Sequence, residues 1–438
     1  MYPKELEDIK AHGCACGKDH VVTVDKIVCG AGVVAQLPEI LATYNAKKPY
    51  ILFDRNTYAA AGERVCALLD AAGIPYVSYM YKEDAPEPNE HNVGLAFMFF
   101  DKSCDIVIGV GSGVINDIGK IVSNVANMPY IIIGTAPSMD GYASASSSMT
   151  REGLKISLSS RAADVIIGDT DILCNAPLKL MKSGLGDMLA KYVSICEWRI
   201  AHIITGEYYC EEIAALVRKA LRRCVDQADA LLRREPEAVA AVFEGLVLSG
   251  VAMNLAGVSR PASGGEHYLS HVWDMRAVEF DTPMDLHGIQ CAIGTLICAQ
   301  LYEKIKTITP DREKALAYMR DFDFAAWADK LKAFLGKGAD SMIALEAKEK
   351  KYDKAAHKAR LEIILQNFDA ILRIIDEELP AAAEIEALLT RIDAPKTMED
   401  IGLSSDLLPM TLAASKDIRD KYVLPRLAFD LGIIDEIV

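Results

Sequence analysis

Residues 104–113 read Cys104-Asp105-Ile106-Val107-Ile108-Gly109-Val110-Gly111-Ser112-Gly113, and the fold class is predicted from this segment. A continuous apolar run of this length, bounded by turn residues, predicts a buried β-strand. The glycines then predict a tight turn into a helix that starts near Val114 and ends near Asn124. A strand, a glycine-rich turn and a helix in this order form part of the repeating unit of a parallel sheet.

The sequence on either side repeats this alternation. Further strands are predicted at residues 20–30, 49–53, 75–81 and 129–133, and further helices at 58–72 and 89–100. This spacing predicts a mostly parallel sheet with helices on both faces, as in nucleotide-binding domains. Beyond about Thr170 the pattern changes to long helical periodicities. We therefore predict an α/β nucleotide-binding domain over residues 1–172 and an all-α domain over residues 173–438.

Size, charge and hydropathy restrict the class of protein. The chain has 438 residues, of which 51% are hydrophobic, and this is enough for two domains with separate cores. Its net charge is −15 and it contains no run of Lys and Arg, which argues against nucleic acid as a partner. The apolar stretches are broken before the ~20 residues of a membrane span. Because the N-terminus is polar, we expect a cytoplasmic protein with no membrane span.

Eleven cysteines are scattered through the predicted helices and strands, which indicates reduced thiols rather than a disulfide framework. One group is denser, with Cys14 and Cys16 close to His12, His20 and the later Cys29. A metal site is one interpretation of this group. Its Cys-x-Cys spacing, however, differs from the usual Cys-x-x-Cys spacing of zinc sites. We therefore interpret it as a surface loop.

The glycine-rich turn at residues 109–113 is a candidate phosphate-binding loop. Bare backbone amides and the positive end of a helix dipole suit a pyrophosphate, and a side chain there would block the phosphate oxygens. Such turns are also common in α/β proteins without a nucleotide. The spacing departs from Gly-x-Gly-x-x-Gly, and the turn follows the fourth predicted strand rather than the first. A Rossmann dehydrogenase in the strict sense is therefore disfavoured.

Two acidic residues lie in positions that suit a cofactor and a substrate. Asp54 follows a predicted strand, where a carboxylate accepts hydrogen bonds from an adenosine ribose and repels a 2'-phosphate, which favours NAD over NADP. A helix-capping role explains Asp54 equally well. Asp140 lies in the loop 134–144, whose small hydroxyl residues suit a cofactor, and it offers an acceptor for a substrate hydroxyl. A Pro/Gly turn with Asx capping is the alternative for this loop.

Asp187, His267 and His287 are candidate metal ligands. Two imidazoles and a carboxylate suit a divalent first-row ion, and three protein ligands leave one position open for substrate. No short-range zinc motif has this layout, and a single histidine is more often a hydrogen-bonded core residue. Each residue nevertheless lies beside glycine or in a polar cluster within apolar helical sequence, where an unpaired imidazole is costly. His271, four residues after His267, falls on the same helical face.

Four motifs, taken together, resemble one family. They are Gly111-Ser112-Gly113-Val114-Ile115-Asn116-Asp117, Thr135-Ala136-Pro137-Ser138-Met139-Asp140-Gly141-Tyr142-Ala143-Ser144, Gly184-Leu185-Gly186-Asp187 and Ser259-Arg260-Pro261-Ala262-Ser263-Gly264-Gly265-Glu266-His267-Tyr268-Leu269-Ser270-His271. In this order they resemble the glycerol-1-phosphate dehydrogenases, relatives of the iron-containing alcohol dehydrogenases, glycerol dehydrogenases and dehydroquinate synthases. The resemblance covers roughly residues 20–300, and the N-terminal Cys-x-Cys-Gly is similar to the bacterial branch.

This resemblance implies a metal-dependent dehydrogenase that uses NAD, with NADP as an alternative. It implies that Asp187, His267 and His287 hold zinc or nickel, and that the helical domain binds metal and substrate. Lys191 stands where the alcohol dehydrogenases often have a fourth histidine ligand, which favours zinc or nickel over iron. The implied cofactor residues are Asp54, Gly113, Val114, Ile115, Asn116, Asp117, Thr135, Ala136, Pro137, Ser138 and Ser144.

The implied reaction is the reduction of dihydroxyacetone phosphate, a small phosphorylated triose, to sn-glycerol 1-phosphate. Asp140, Asp187 and His271 are implied to contact substrate, and Asp140 and His271 are the candidate catalytic residues, with His271 relaying the proton. Arg260 is a candidate for binding the substrate phosphate, with a salt bridge as the alternative. A polyol dehydrogenase and a dehydroquinate synthase-like lyase are alternative functions. We expect the helices after residue 300 to serve packing or a subunit interface, and we expect the chain to form a homodimer or a larger homo-oligomer.

Overall fold

The computed structural model describes residues 6, 9, 11–83, 86–152 and 154–437. They divide into two compact units. The first unit comprises the described residues up to Met188 together with Glu212–Ser259, and the second comprises Leu189–Glu211 and the residues from Arg260 onwards. This division differs from the single predicted boundary after residue 172, because a helical segment that lies later in the chain belongs with the sheet.

A six-stranded parallel sheet forms the centre of the first unit, in the order β1-β8-β5-β4-β2-β3. Two further strands, β6 and β7, form an antiparallel hairpin. The strands are β1 Lys26–Gly30, β2 Pro49–Asp54, β3 Val77–Tyr81, β4 Ile106–Gly111, β5 Tyr130–Gly134, β6 Ser146–Arg151, β7 Leu154–Ser159 and β8 Val165–Asp169. The predicted α/β class is confirmed, while β8 and the hairpin were absent from the prediction.

Helices in the first unit connect these strands and cover the sheet. They are α1 Leu37–Thr43, α2 Arg55–Thr57, α3 Glu63–Ala71, α4 Glu90–Met98, α5 Gly113–Ala126, α6 Thr170–Leu173, α7 Leu178–Leu189, α9 Glu211–Asp226, α10 Ala228–Leu232 and α11 Pro236–Ala256. A π-helical turn Tyr58–Gly62 joins α2 to α3, and 3-10 helices span Val33–Gln36 and Asp140–Tyr142. Strands β2, β4, β5 and β8 are buried along their whole length, as expected for a sheet covered on both faces.

The strand register brings the predicted cofactor loops to one edge of the sheet. Gly111 at the end of β4 pairs with Gly134 at the end of β5. Leu52 of β2 pairs with Gly109 of β4, so Asp54 ends its strand at the same edge. In open α/β sheets, ligands bind outside the carboxyl ends of the strands. The glycine-rich turn, the loop after β5 and Asp54 therefore lie where this fold binds its ligands.

Helix α11 is long and apolar enough to cross a membrane, judged by length and composition, yet 78% of its most apolar window is buried. It packs against β1, α6 and the 3-10 helix Asp140–Tyr142, all within the first unit. These contacts are those of a core helix. They also explain why residues far beyond the predicted boundary at residue 172 belong with the sheet.

The described part of the second unit is helical, as predicted for the C-terminal part of the chain. Helix α12 packs against α8, α13 and α20 around a core that includes Leu269, Trp273 and Ile293. The helices are α8 Lys191–Thr205, α12 Gly265–Phe280, α13 His287–Lys306, α14 Arg312–Asp321, α15 Phe324–Leu335, α16 Gly338–Glu349, α17 Lys354–Gln366, α18 Phe368–Glu378, α19 Ala382–Arg391, α20 Leu408–Ser415 and α21 Leu424–Asp430. Short 3-10 helices span Glu399–Ile401 and Ser405–Leu407.

Candidate active site

The glycine-rich turn has the predicted strand-to-helix form, but its glycines serve different purposes. A Cβ on Gly111 would lie 2.6 Å from the Cβ of Ile115, so packing requires glycine there. A Cβ on Gly113 would meet nothing closer than Met139 Cγ, at 3.5 Å. Gly113 is the first residue of α5. Packing therefore does not require glycine at position 113, and its amide belongs to a helix N-terminus, where anions bind.

Helix α5 also holds the loop that follows β5. Asn116 Nδ2 donates a hydrogen bond to the Gly141 carbonyl at 2.9 Å, and Lys120 Nζ donates to the same carbonyl at 3.2 Å. Lys120 is fully buried and forms an ion pair with Asp117, with Nζ 3.0 Å from Oδ1. Asn116 and Asp117, both predicted to meet the cofactor, thus lie on the α5 surface that fixes this loop.

Hydrogen bonds within the loop bring its predicted cofactor residues beside the glycine-rich turn. The Thr135 backbone N–H donates to the Gly111 carbonyl at 3.1 Å. The hydroxyls of Ser138 and Ser112 are hydrogen-bonded to each other. Ser144 Oγ donates to the Ser146 carbonyl at 2.9 Å. The hydroxyls of Ser112 and Ser138, next to the start of α5, suit a polar ligand.

The same loop contacts helix α7, which carries Asp187. A Cβ on Gly184 would overlap the Pro137 carbonyl, so glycine permits the close packing of α7 on the loop. The Asp140 backbone N–H donates to Asp187 Oδ2 at 2.9 Å, and Ser249 Oγ donates to Asp140 Oδ2 at 2.9 Å. Two predicted substrate-contacting carboxylates of the first unit are therefore adjacent, and both are buried.

Asp54 is a helix-capping residue in this structure. Its Oδ1 accepts the Thr57 backbone N–H at 2.8 Å, and Thr57 Oγ1 accepts the Asp54 backbone N–H at 2.9 Å. This reciprocal pair is a capping box. The capping interpretation is thereby confirmed. The ribose interpretation stays a prediction, because one carboxylate can serve both purposes through its two oxygens.

In the second unit, His267, His271 and His287 form a cluster. The His267 and His287 ring centroids are 5.0 Å apart, and the His271 ring lies 6.5 Å from His267 and 6.1 Å from His287. His267 is in the first turn of α12, and His287 is the first residue of α13. His267 Nδ1 donates to Glu266 Oε1 at 2.7 Å, which leaves the Nε2 lone pair as the group that can bind a metal.

Cys291 is a further donor group that the sequence reasoning missed. Its sulfur and the ligand nitrogens of His267 and His287 all lie within 4.8 Å of one another. Burial raises the pKa of the Cys291 thiol, but the two histidines lower it by more, so that the pKa lies below its ordinary value. The spacing of four residues from His287 along α13 was the available sequence signal.

Comparisons with known proteins place this arrangement in a family. The family model for iron-containing alcohol dehydrogenase matches residues 28–177. The glycerol-1-phosphate dehydrogenase (NAD(P)+) of Halalkalibacterium halodurans is 29% identical over 418 residues, which cover 94% of this chain and 94% of that protein. The enzyme of the same name from Methanothrix thermoacetophila is 34% identical over 278 residues, which cover 63% of this chain and 77% of that protein. The chain belongs to the glycerol-1-phosphate dehydrogenase family.

A solved structure agrees with this family assignment at the level of the fold. Glycerol dehydrogenase from Schizosaccharomyces pombe superposes with a TM-score of 0.61 at 16% identity, covering 96% of this chain and 91% of that chain. This chain therefore shares the fold of that glycerol dehydrogenase.

Two buried glutamates support the histidine cluster in this member of the glycerol-1-phosphate dehydrogenase family. Glu197 accepts the backbone N–H groups of Gly265 and Leu424, both at 2.8 Å. Burial, reinforced by the charge of Glu266, raises the pKa of Glu197 to about 8. A Cβ on Gly264 would lie 2.6 Å from a Glu197 oxygen and 2.7 Å from a Glu266 oxygen, so only glycine fits between the two carboxyl groups.

Arg260 lies in the fourth family motif, Ser259 to His271, and was predicted to bind the substrate phosphate. Its contacts in the structure are with protein groups. Its guanidinium is 1% exposed and forms a bidentate ion pair with Glu207, with Nε 2.6 Å and Nη2 2.5 Å from the two carboxylate oxygens. Its Nη1 donates to the Tyr422 carbonyl at 2.9 Å. The salt bridge of the alternative interpretation is therefore present, although it is buried rather than at the surface, and the role of Arg260 in binding the substrate phosphate stays a prediction.

Lys191 contacts the backbone of the segment that precedes the histidine cluster. Its side chain is fully buried, and Nζ donates to the Ala262 carbonyl at 3.0 Å. It therefore anchors the segment that precedes His267. Asp187 belongs to the first unit, and the histidine cluster belongs to the second.

Proposed function

We propose that the chain catalyses the reversible NAD(P)-dependent reduction of dihydroxyacetone phosphate to sn-glycerol 1-phosphate. The reaction adds a hydride from the reduced nicotinamide to the carbonyl carbon and a proton to the carbonyl oxygen. Relatives named glycerol-1-phosphate dehydrogenase (NAD(P)+) support it, one of them over 94% of the chain. The observation that carries the proposal is the pair His267 and His287, whose rings are 5.0 Å apart with His267 held by Glu266.

The proposal assigns one divalent ion to Asp187, His267 and His287. The donor chemistry fits, because two imidazoles and a carboxylate suit zinc or nickel and leave one position for substrate. The hydrogen bond from His267 to Glu266 is the support that metal-ligating histidines usually have. Because Lys191 stands where the alcohol dehydrogenases often have a fourth histidine ligand, a site with three protein ligands is proposed, which favours zinc or nickel over iron. When bound, the ion supplies a Lewis acid that stabilises negative charge on the carbonyl oxygen.

The cofactor is assigned to the first unit, as NAD with NADP as the alternative. The amides at the start of α5, which begins at Gly113, would bind the diphosphate. The hydroxyls of Thr135, Ser138 and Ser144 would line the rest of the cofactor. Asp54 Oδ1 accepts the capping hydrogen bond, so Oδ2 is the oxygen that would accept a ribose hydroxyl and repel a 2'-phosphate.

Asp140 and His271 are assigned to the substrate and its proton. Ser249 Oγ donates to Asp140 Oδ2 and so orients the Asp140 carboxyl group, which would accept a hydrogen bond from a substrate hydroxyl. Asp187 is proposed to contact the substrate as well. His271 lies one helical turn after His267, and its imidazole is suited to carry a proton near neutral pH.

Chiral analysis of the product tests this function directly. The protein is stripped of metal, reloaded with zinc or nickel, and incubated with dihydroxyacetone phosphate and NADH. Formation of sn-glycerol 1-phosphate supports the proposal, whereas the mirror-image product refutes it. A polyol dehydrogenase would reduce dihydroxyacetone as readily as its phosphate, and a dehydroquinate synthase-like lyase would consume no net NADH. A cytoplasmic homo-oligomer stays a prediction, which fractionation and light scattering would check.

A further inference from the structure

A second cluster of metal-binding side chains lies near the N-terminus, outside the proposed active site. The ligand atoms of Cys14, Cys16 and His20 all lie within 4.8 Å of one another. Cys16 Sγ is 3.2 Å from His20 Nε2. The earlier interpretation of a surface loop does not fit these residues, because Cys14 is 7% exposed and His20 is 1% exposed. Their sequence neighbours, by contrast, are mostly exposed.

The backbone explains how a Cys-x-Cys spacing brings two thiols together. The Gly17 N–H donates to the Cys14 carbonyl at 3.0 Å, which closes a tight turn around Cys16. Gly17 has a φ of +81°, a conformation that favours glycine. The His20 N–H donates to the Ala11 carbonyl at 2.8 Å and folds the chain back on itself. The two sulfurs and the imidazole therefore converge without the usual Cys-x-x-Cys spacing.

His20 is oriented as a metal ligand. Its Nδ1 lies 3.3 Å from the Leu255 carbonyl, which can only accept a hydrogen bond, so Nδ1 carries the proton. The lone pair of Nε2 then points toward the Cys16 sulfur. Metal-ligating histidines typically donate their other ring N–H to a carbonyl or carboxylate in this way. Leu255 lies on the core helix α11, so this hydrogen bond also ties the N-terminal segment to the core of the first unit.

The distances suit a tetrahedral zinc ion. Zinc binds thiolate sulfur at about 2.3 Å and imidazole nitrogen at about 2.0 Å, which separates ligand atoms around one ion by roughly 3.5 Å. We propose that Cys14, Cys16 and His20 bind a structural zinc ion, with a further ligand in the fourth position. This ion would fix the N-terminal segment to α11 and is distinct from the ion of the proposed active site.

Zinc content per chain tests the proposal. The wild-type protein, saturated with zinc and freed of excess by gel filtration, should hold two ions per chain. The variant Cys16→Ser should hold one ion fewer. The matched control Cys174→Ser, at a half-buried cysteine of the same unit, should lose none. Retention of all zinc by Cys16→Ser would overturn the proposal, as would a Cys14–Cys16 disulfide detected by mass spectrometry.

A second measurement uses a variant in which Cys14, Cys16 and His20 are unchanged. Its result therefore does not depend on whether Cys16→Ser folds. The double variant His267→Ala/Cys291→Ala removes an imidazole and the thiol from the proposed active site. Zinc X-ray absorption of this variant should show sulfur neighbours at about 2.3 Å and nitrogen at about 2.0 Å. Zinc without sulfur neighbours, or no bound zinc, would contradict the N-terminal site. Failure of the proposed dehydrogenase function would leave this result unchanged.

Discussion

The glycine-rich turn allows packing and cofactor binding to be separated by two neighbouring substitutions. In Gly111→Ala, the new Cβ would lie 2.6 Å from the Cβ of Ile115 and 2.7 Å from its Cγ1. Such overpacking in a buried strand costs about 1–3 kcal/mol of folding free energy. In Gly113→Ala, the nearest atom is 3.5 Å away, so the methyl group fits. Alanine is also the better helix former, by up to about 1 kcal/mol.

The two variants should therefore fail in different ways. Gly113→Ala should keep the stability of the wild-type protein but lose cofactor affinity, because the methyl group obstructs the approach of the diphosphate to the α5 amides. Loss of one charge-assisted hydrogen bond, about 1.5–3 kcal/mol, corresponds to roughly 10- to 100-fold weaker binding. Calorimetry and fluorescence titration with NADH measure the two effects. An unchanged dissociation constant for NADH in Gly113→Ala would refute the assignment of the diphosphate to this turn.

Three further predictions concern single side chains of the second unit. His271→Ala should lower kcat about 100-fold and flatten its pH profile near neutrality, and an unchanged rate at every pH would remove His271 from the proton path. Arg260→Ala should lower the free energy of unfolding by about 3 kcal/mol, because Glu207 loses its ion-pair partner. If the ion pair is the main role of Arg260, KM should change equally for dihydroxyacetone and its phosphate, whereas a rise confined to the phosphate would support the phosphate-binding role. The pKa of Glu197 is raised to about 8 in the folded state. Between the ordinary glutamate pKa and about 8, the folded state therefore binds more protons than the unfolded state. The free energy of unfolding consequently falls as the pH rises through this range. Glu197→Gln should remove this loss, at most about 5 kcal/mol, in denaturation curves recorded from pH 5 to 9, and an equally steep decline in the variant would contradict the assignment.

The sequence predicted the parts of the fold whose signal is local. The apolar runs that became β2, β4 and β5 were recognised because continuous apolar segments between turns are typical of buried strands. The hairpin of β6 and β7 was missed because its strands are rich in serine and only partly buried. Strand β8 carried the usual apolar signal in Val165–Asp169, so its omission was an error of interpretation.

Non-local packing accounts for the other differences. The placement of α11 with the sheet depends on contacts with β1 and α6, which no periodicity of its own sequence reveals. The family motifs identified the histidines, but the support of His267 by Glu266 and the ion pair of Arg260 with Glu207 depend on side-chain geometry. The same holds for the N-terminal cysteines, whose spacing argued against a metal site until the turn at Gly17 was known.

Asp187, His267 and His287 are proposed to bind one catalytic ion. Asp187→Asn keeps the size of the side chain and an acceptor for the Asp140 N–H, so it isolates the loss of charge. Metal content after equilibrium dialysis should fall by the same single ion per chain in Asp187→Asn, in His267→Ala and in the double variant Asp187→Asn/His267→Ala. Retention of that ion by Asp187→Asn, or a larger loss in the double variant than in either single one, would contradict a shared site.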